Sequence, residues 1–176
     1  RLSNIGTDGY IDRASVDLNS YYLQGGYFAE NTSVKLIAFA GKEKTYHAWG
    51  YATKKEMEDF GRRYNPCGEM YTDANGNKHF YDDQTDNYLQ KNYQLLFNHT
   101  FSTAWNLNVA LHYTKGDGYY EEYKDGRSLI EYGLKPFTID GTEITKSDLV
   151  RQKKMDNKFG GGVFSLNYTA NRLNAS

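Results

Sequence analysis

The side chains best suited to chemistry in this sequence are dispersed rather than gathered. The four histidines, His47, His79, His99 and His112, fall on separate segments. His99 and His112 would approach one another across a hairpin, but their parities relative to the apolar residues differ, so no metal-binding or catalytic histidine is expected. The acidic pairs Glu121-Glu122 and Asp82-Asp83 fall in expected loops. Consecutive residues of an extended chain point to opposite sides, which suits a solvated loop better than paired acid–base catalysis. Asp73-Ala74-Asn75-Gly76-Asn77 hints at a calcium loop, but its glycine stands at the fourth place rather than the sixth and no glutamate closes the twelfth, so a turn is expected. Cys67 is the single cysteine, which excludes an internal disulfide and a cysteine-rich metal site, and it has no neighbour that would activate a thiol. No enzyme, cofactor or metal is therefore expected.

What the sequence does concentrate is aromatic rings. Tyr46, Trp49, Tyr51, Tyr64, Tyr71, Phe80 and Tyr81 cluster in and beside one long connecting segment, and Tyr119, Tyr120 and Tyr123 open a second. Exposed rings offer flat, rigid contact area with a hydrogen-bonding edge, suited to a small molecule, glycan or peptide. The competing role is to pack the loops onto each other and onto the rim of the sheet. Arg62-Arg63 would attract an anionic ligand, or equally lipopolysaccharide or solvent.

The elements that must position these rings are strands. Trp105-Asn106-Leu107-Asn108-Val109-Ala110-Leu111-His112-Tyr113-Thr114 puts large apolar residues at every odd position. Tyr93, Leu95, Phe97 and Phe101 oppose Asn92, Gln94 and Asn98 in the same way. Val34, Leu36, Ala38 and Ala40, and Phe164, Leu166 and Tyr168, are weaker examples, while Asn19 to Ala29 has a ring on each face. Strands are expected near 1–5, 14–29, 32–46, 87–101, 104–117 and 153–169, with a seventh starting near 172. Tight turns at Glu30-Asn31, Ser102-Thr103 and Asn171-Arg172 alternate with longer connections at 6–13, 47–86 and 118–152. In a meander every second connection lies on the same side, so the tight turns share one end and the long loops the other. Asn75-Gly76 and Asp140-Gly141 predict small hairpins inside the loops, and the capping residue, helix formers and terminal glycine of 53–61 predict a short helix.

No apolar run approaches the roughly 20 residues of a transmembrane helix. Alternation allows another route across a bilayer, since a barrel needs only every second side chain to face lipid. Aromatics make up 16% of the chain, including 17 tyrosines, and rings flank each tight turn, as in an interfacial girdle. A net charge of −1 with well-mixed signs offers no patch for nucleic acid. Both termini read as mid-strand, so the chain is expected to be part of a larger protein.

Several blocks resemble a known family: Arg1-Leu2-Ser3-Asn4-Ile5 with Asp8-Gly9-Tyr10-Ile11-Asp12-Arg13-Ala14, then Gly41-Lys42-Glu43-Lys44-Thr45-Tyr46, Tyr64-Asn65-Pro66, Gln84-Thr85-Asp86-Asn87-Tyr88, and Leu111-His112-Tyr113-Thr114 running into Gly118-Tyr119-Tyr120-Glu121-Glu122-Tyr123-Lys124. Together they resemble the barrel of TonB-dependent outer-membrane receptors of Bacteroidetes, across nearly the whole chain and in order. The resemblance implies an all-β, antiparallel meander within a 22-stranded transmembrane barrel closed around an N-terminal plug. It implies uptake of a scarce nutrient (siderophore, vitamin, haem, glycan or peptide) across the bacterial outer membrane. The implied partners are outer-membrane lipid, the rest of the barrel, the plug, and TonB through an N-terminal part outside this sequence. The alternative is a soluble carbohydrate-binding β-sandwich or adhesin module, whose two sheets would bury their apolar faces on each other.

Overall fold

The segments with the sharpest alternation form strands, because β-branched and aromatic side chains pack on one face of a pleat while amides and hydroxyls take the other. The computed structural model describes residues 1–170 and 173–175. In chain order the elements are β1 (Leu2–Thr7), β2 (Val16–Phe28), β3 (Thr32–Tyr46), α1 (Lys54–Phe60), β4 (Glu69–Thr72), β5 (Lys78–Phe80) and β6 (Thr85–Thr100). There follow β7 (Trp105–Ser128), a 3-10 turn (Leu129–Tyr132), β8 (Phe137–Ile139), β9 (Thr142–Ile144), β10 (Lys146–Ala170) and β11 (Leu173–Ala175). The main sheet runs β1-β2-β3-β6-β7-β10-β11, antiparallel throughout. Each main strand pairs with the next in sequence, so the expected up-and-down meander is what forms.

The register gathers most of the large apolar residues of these strands onto one face. Tyr27, Val34, Phe97, Val109 and Phe164 lie on a single hydrogen-bonded rung, and Gly25, Leu36, Leu95, Leu111 and Gly162 on another. The rung next to the first on its turn side, Phe28, Ser33, Asn98, Asn108 and Ser165, belongs to the opposite face. There the amides bond laterally: Asn108 Nδ2 donates to Ser165 Oγ at 3.2 Å, and Thr114 Oγ1 to Asn92 Oδ1 at 2.8 Å. This polar face is not uniform, since Phe28, Ile37, Phe39, Leu96, Phe159 and Val163 also fall on it. The ambiguous segment after Asn19 resolves as strand, with Tyr21 on the apolar face and Tyr22 on the other, stacked on Phe39 at 6.4 Å.

The hairpin tips drift along the sheet. On the rung just described, four residues separate Phe28 from Ser33 around the first turn, whereas nine separate Asn98 from Asn108 around the second. The Ala170↔Leu173 pair carries the third tip further in the same sense. The drift averages about 1.0–1.25 residues per strand, which with ~3.4 Å per residue and ~4.8 Å between strands corresponds to a tilt of about 35–42° if the tips share one level.

Two strands outrun the expected loop 118–152. β7 continues to Ser128 and β10 begins at Lys146, so the irregular excursion shrinks to 129–145. Beyond the apolar band both faces carry mostly polar side chains and the alternation is lost, but the backbone ladder persists. Tyr119, Tyr120 and Tyr123 are therefore strand residues rather than loop residues. The expected turn at Asn171-Arg172 lies outside the described residues.

Candidate functional site at the loop end

The connection 47–84 is built around one buried amide. Asn65 donates through Nδ2 to the carbonyls of Asp12 (3.0 Å) and His47 (2.9 Å), and its Oδ1 accepts from the Cys67 amide at 3.0 Å. One side chain thereby ties the β1–β2 loop, the end of β3 and the segment before β4. Arg13, held at a left-handed φ of 63°, donates to the Asn65 carbonyl and lies 3.5 Å over the Phe80 ring. Cys67 is buried and its Sγ accepts from the Gly50 amide at 3.2 Å. Outside this hub, α1 forms where expected: Thr53 and Glu56 make a reciprocal capping box, and Gly61 ends the helix at a φ of 92°.

The two small hairpins also form. Asp140 and Gly141 both adopt positive φ, as the tight hairpin turn between β8 and β9 requires. In the other, the turn centres one residue early: Gly76 N–H bonds to the Asp73 carbonyl, leaving Gly76 left-handed at 86°. Asp73 does turn work rather than calcium work. Its carboxylate accepts from the backbone of Asn77 and Asn75 and the side chain of Asn77, which hold its pKa at about 2.

The ten aromatic rings expected at a binding surface divide. Tyr46 and Tyr64 are buried, so of the two roles open to these rings they take that of packing the loop. Tyr46 Oη donates to the Tyr81 carbonyl at 2.8 Å, and Tyr64 Oη to Glu69 Oε2 at 2.6 Å, so both brace the hub. Phe80 lies beneath Arg13. Tyr71 stacks on His79 at 4.5 Å, and Tyr51 projects from the loop at 96% exposure. Tyr119 and Tyr123 share the sheet's apolar side, above the apolar band, by their register with Lys154 and Val150. Tyr81 joins them, its hydroxyl donating to Glu121 and its ring 6.5 Å from Tyr123. The hydrogen bond from Tyr123 to Asp148 pushes the tyrosine pKa up to about 12.

Trp49 and Tyr120 alone converge on the opposite side. Trp49 stacks on His47 with ring centroids 3.8 Å apart and meets Tyr120 edge-on at 6.2 Å. Lys153 Nζ stands 5.2 Å over the Tyr120 ring. Behind them, buried Glu122 holds Arg151 and, at 2.7 Å, Lys124. Burial pushes the Glu122 carboxyl up, but the hydrogen bonds and charges of Lys124 and Arg151 together outweigh it and keep it ionised. Burial likewise lowers the pKa of His47, and Asp86 Oδ2, 3.4 Å from Nε2, offsets this only in part. The imidazole is therefore a neutral platform beneath the indole. Trp49 remains 56% exposed, so the cluster presents an open indole face beside an exposed ammonium. Family models, curated proteins and solved structures yield no match to this chain. A flat sugar or heteroaromatic ring stacked on Trp49, with an anionic or hydroxyl group toward Lys153, fits this geometry best.

Sequence reasoning found Trp49 and Tyr120 but missed Asn65, Arg13 and Lys153. Tyr64-Asn65-Pro66 stood out only as a resemblance, and Lys153 becomes a partner only through the β7–β10 register. The two remaining doubtful histidines separate as their parity required: His99 lies on the apolar face opposite Thr32, and His112 on the polar face opposite Gln94.

Proposed function

We propose that this chain is part of a transmembrane β-barrel of the bacterial outer membrane, and that the barrel is a 22-stranded TonB-dependent nutrient receptor. The apolar face carries this reading. Leu23, Leu36 and Phe164 on it are 69%, 59% and 69% exposed, and among the described residues no second sheet lies over them. On β7 the band runs from Trp105 to Tyr113, ~27 Å along the strand and ~21 Å along the membrane normal at the tilt above, close to the roughly 25 Å apolar belt of such barrels. Tyr27, Phe101, Trp105 and Tyr168 flank the tight turns, and Tyr21, Tyr93 and Tyr113 edge the other border. A tilt of about 35–42° also falls in the range of closed barrels. A carbohydrate-binding sandwich would need those apolar residues covered.

In this assignment the polar face lines the lumen, the tight turns face the periplasm, and the Trp49–Tyr120–Lys153 cluster meets the ligand at the lumen's outer mouth. The plug and the TonB contact belong to the parent chain. The test is an epitope inserted at Asp140-Gly141 or at Ser102-Thr103 in the full-length protein. The first should be labelled on intact cells and the second only after the outer membrane is opened. Labelling of both, or the reverse order, rejects the assignment.

A further inference from the structure

Lysines are the first charges on the apolar face. Counting from the tight turns on four successive strands, the first charged residue met on that face is a lysine: Lys42 on β3, Lys91 on β6, Lys115 on β7 and Lys158 on β10. Lys91, Lys115 and Lys158 are direct register partners on one rung. Like charges directly opposite each other in a sheet are destabilising unless something neutralises them. Two carboxylates help little: Asp117 lies 3.7 Å from Lys115 and Asp156 3.9 Å from Lys158, both among solvated side chains. Lys42 and Lys91 have no carboxylate within ion-pair distance among the described residues. Beside the row opens a depression of about 680 Å³ bordered by Lys42, Leu89, Lys115 and Lys154, with Asp117 and Asp156 also in its lining.

We propose that this lysine row binds the phosphates of an anionic glycolipid headgroup in the outer leaflet. The proposal rests on the membrane assignment above and specifies the lipid that assignment leaves open. The placement follows from the order of residues along each strand. Aliphatic side chains meet acyl chains, Tyr93 and Tyr113 sit at the interface, and Lys91 and Lys115 come one same-face step further out, where headgroup phosphates lie. The tilt keeps Lys42 at the level of its neighbours although it stands two rungs away. Four ammonium groups spread over adjacent strands match several phosphates or one multiply charged headgroup, and the depression gives the sugar room.

The test uses the full-length protein in zwitterionic vesicles doped with phosphorylated lipid A, read by retention of the lipid on the purified protein. Lys91→Gln with Lys115→Gln should weaken retention about 25-fold, at about fivefold per lysine. Lys91→Arg with Lys115→Arg should retain it, and dephosphorylated lipid A should bind the wild type as weakly as phosphorylated lipid binds the glutamine variant. Insertion into undoped vesicles, measured in parallel, separates the two claims. Equal insertion with unchanged lipid A retention by the glutamine variant overturns the proposal and leaves the membrane assignment standing. Failure of the wild type to insert removes both. Displacement of the lipid by inorganic phosphate at equal concentration would make the row a free-phosphate site and overturn the proposal.

Discussion

Val109 and Asn108 are adjacent in sequence, and the barrel account assigns them opposite solvents. Val109 lies between Phe97 and Phe164 on the apolar face. It is four residues from Trp105 and four from Tyr113, so each aromatic border is ~10 Å away along the membrane normal. An arginine there meets the bilayer midplane, where it should cost about 2–4 kcal/mol. Asn108 points the other way, bonded to Asn106 at 2.8 Å and Ser165 at 3.2 Å. Replacing it gives up some of those bonds, each worth about 1 kcal/mol net, but an arginine in a watered lumen regains partners. Val109→Arg should therefore be the more destabilising by about 1–3 kcal/mol, a factor of roughly 5 to 150 in the folding equilibrium. The assay is reversible denaturant unfolding of the full-length protein in lipid vesicles. Equal costs for the two variants, or a larger cost for Asn108→Arg, would refute the assignment of faces.

Other perturbations address the loop end. Asn65→Ala deletes three hydrogen bonds and strands two carbonyls, so opening of the 47–84 connection should become about 2–4 kcal/mol easier, read by hydrogen exchange at the Cys67 amide; unchanged exchange would show that Asn65 is not the tie. His47 titrates lower when folded, so the unfolded loop takes up more protons. Its stability is complete above about pH 6.5 and falls as the pH drops toward the folded pKa. Exchange at residues 47–52, corrected for intrinsic rates, should rise between pH 7.5 and 5.5 and lose that dependence in His47→Gln; an identical slope in the variant excludes His47 as the cause. Thr53→Ala removes the capping box and should weaken α1 by about 1 kcal/mol, speeding exchange at Glu56 roughly fivefold while β6 and β7 stay protected.

The sequence is most legible where the two faces of a strand differ. Between Trp105 and Thr114 large apolar residues take one face and mostly amides the other, and the alternation marks a strand. Between Tyr119 and Ser128 both sides are polar, the alternation vanishes, and a continuing strand looked like loop. The short helix and the β8–β9 turn were legible because capping boxes and positive-φ turns depend on local residues. The hub was not, because Asn65 acts through carbonyls some 18 and 53 residues away in the chain. Nor could sequence sort the aromatic rings: Tyr119 and Tyr120 are neighbours, yet pleating sends one to each side of the sheet. Tyr46 and Tyr64 stood among the candidate recognition rings because burial of a tyrosine leaves no mark when its hydroxyl finds a backbone carbonyl or a glutamate.

The direct test of the central claim is quencher accessibility along β7. Single cysteines placed in turn at 105 to 113, in a full-length Cys67→Ser background reconstituted in vesicles, would carry a spin label. The account predicts a period of two: odd positions relaxed by lipid-soluble oxygen, even positions by a water-soluble nickel chelate. Odd positions shielded from both reagents, as beneath a second packed sheet, would contradict it.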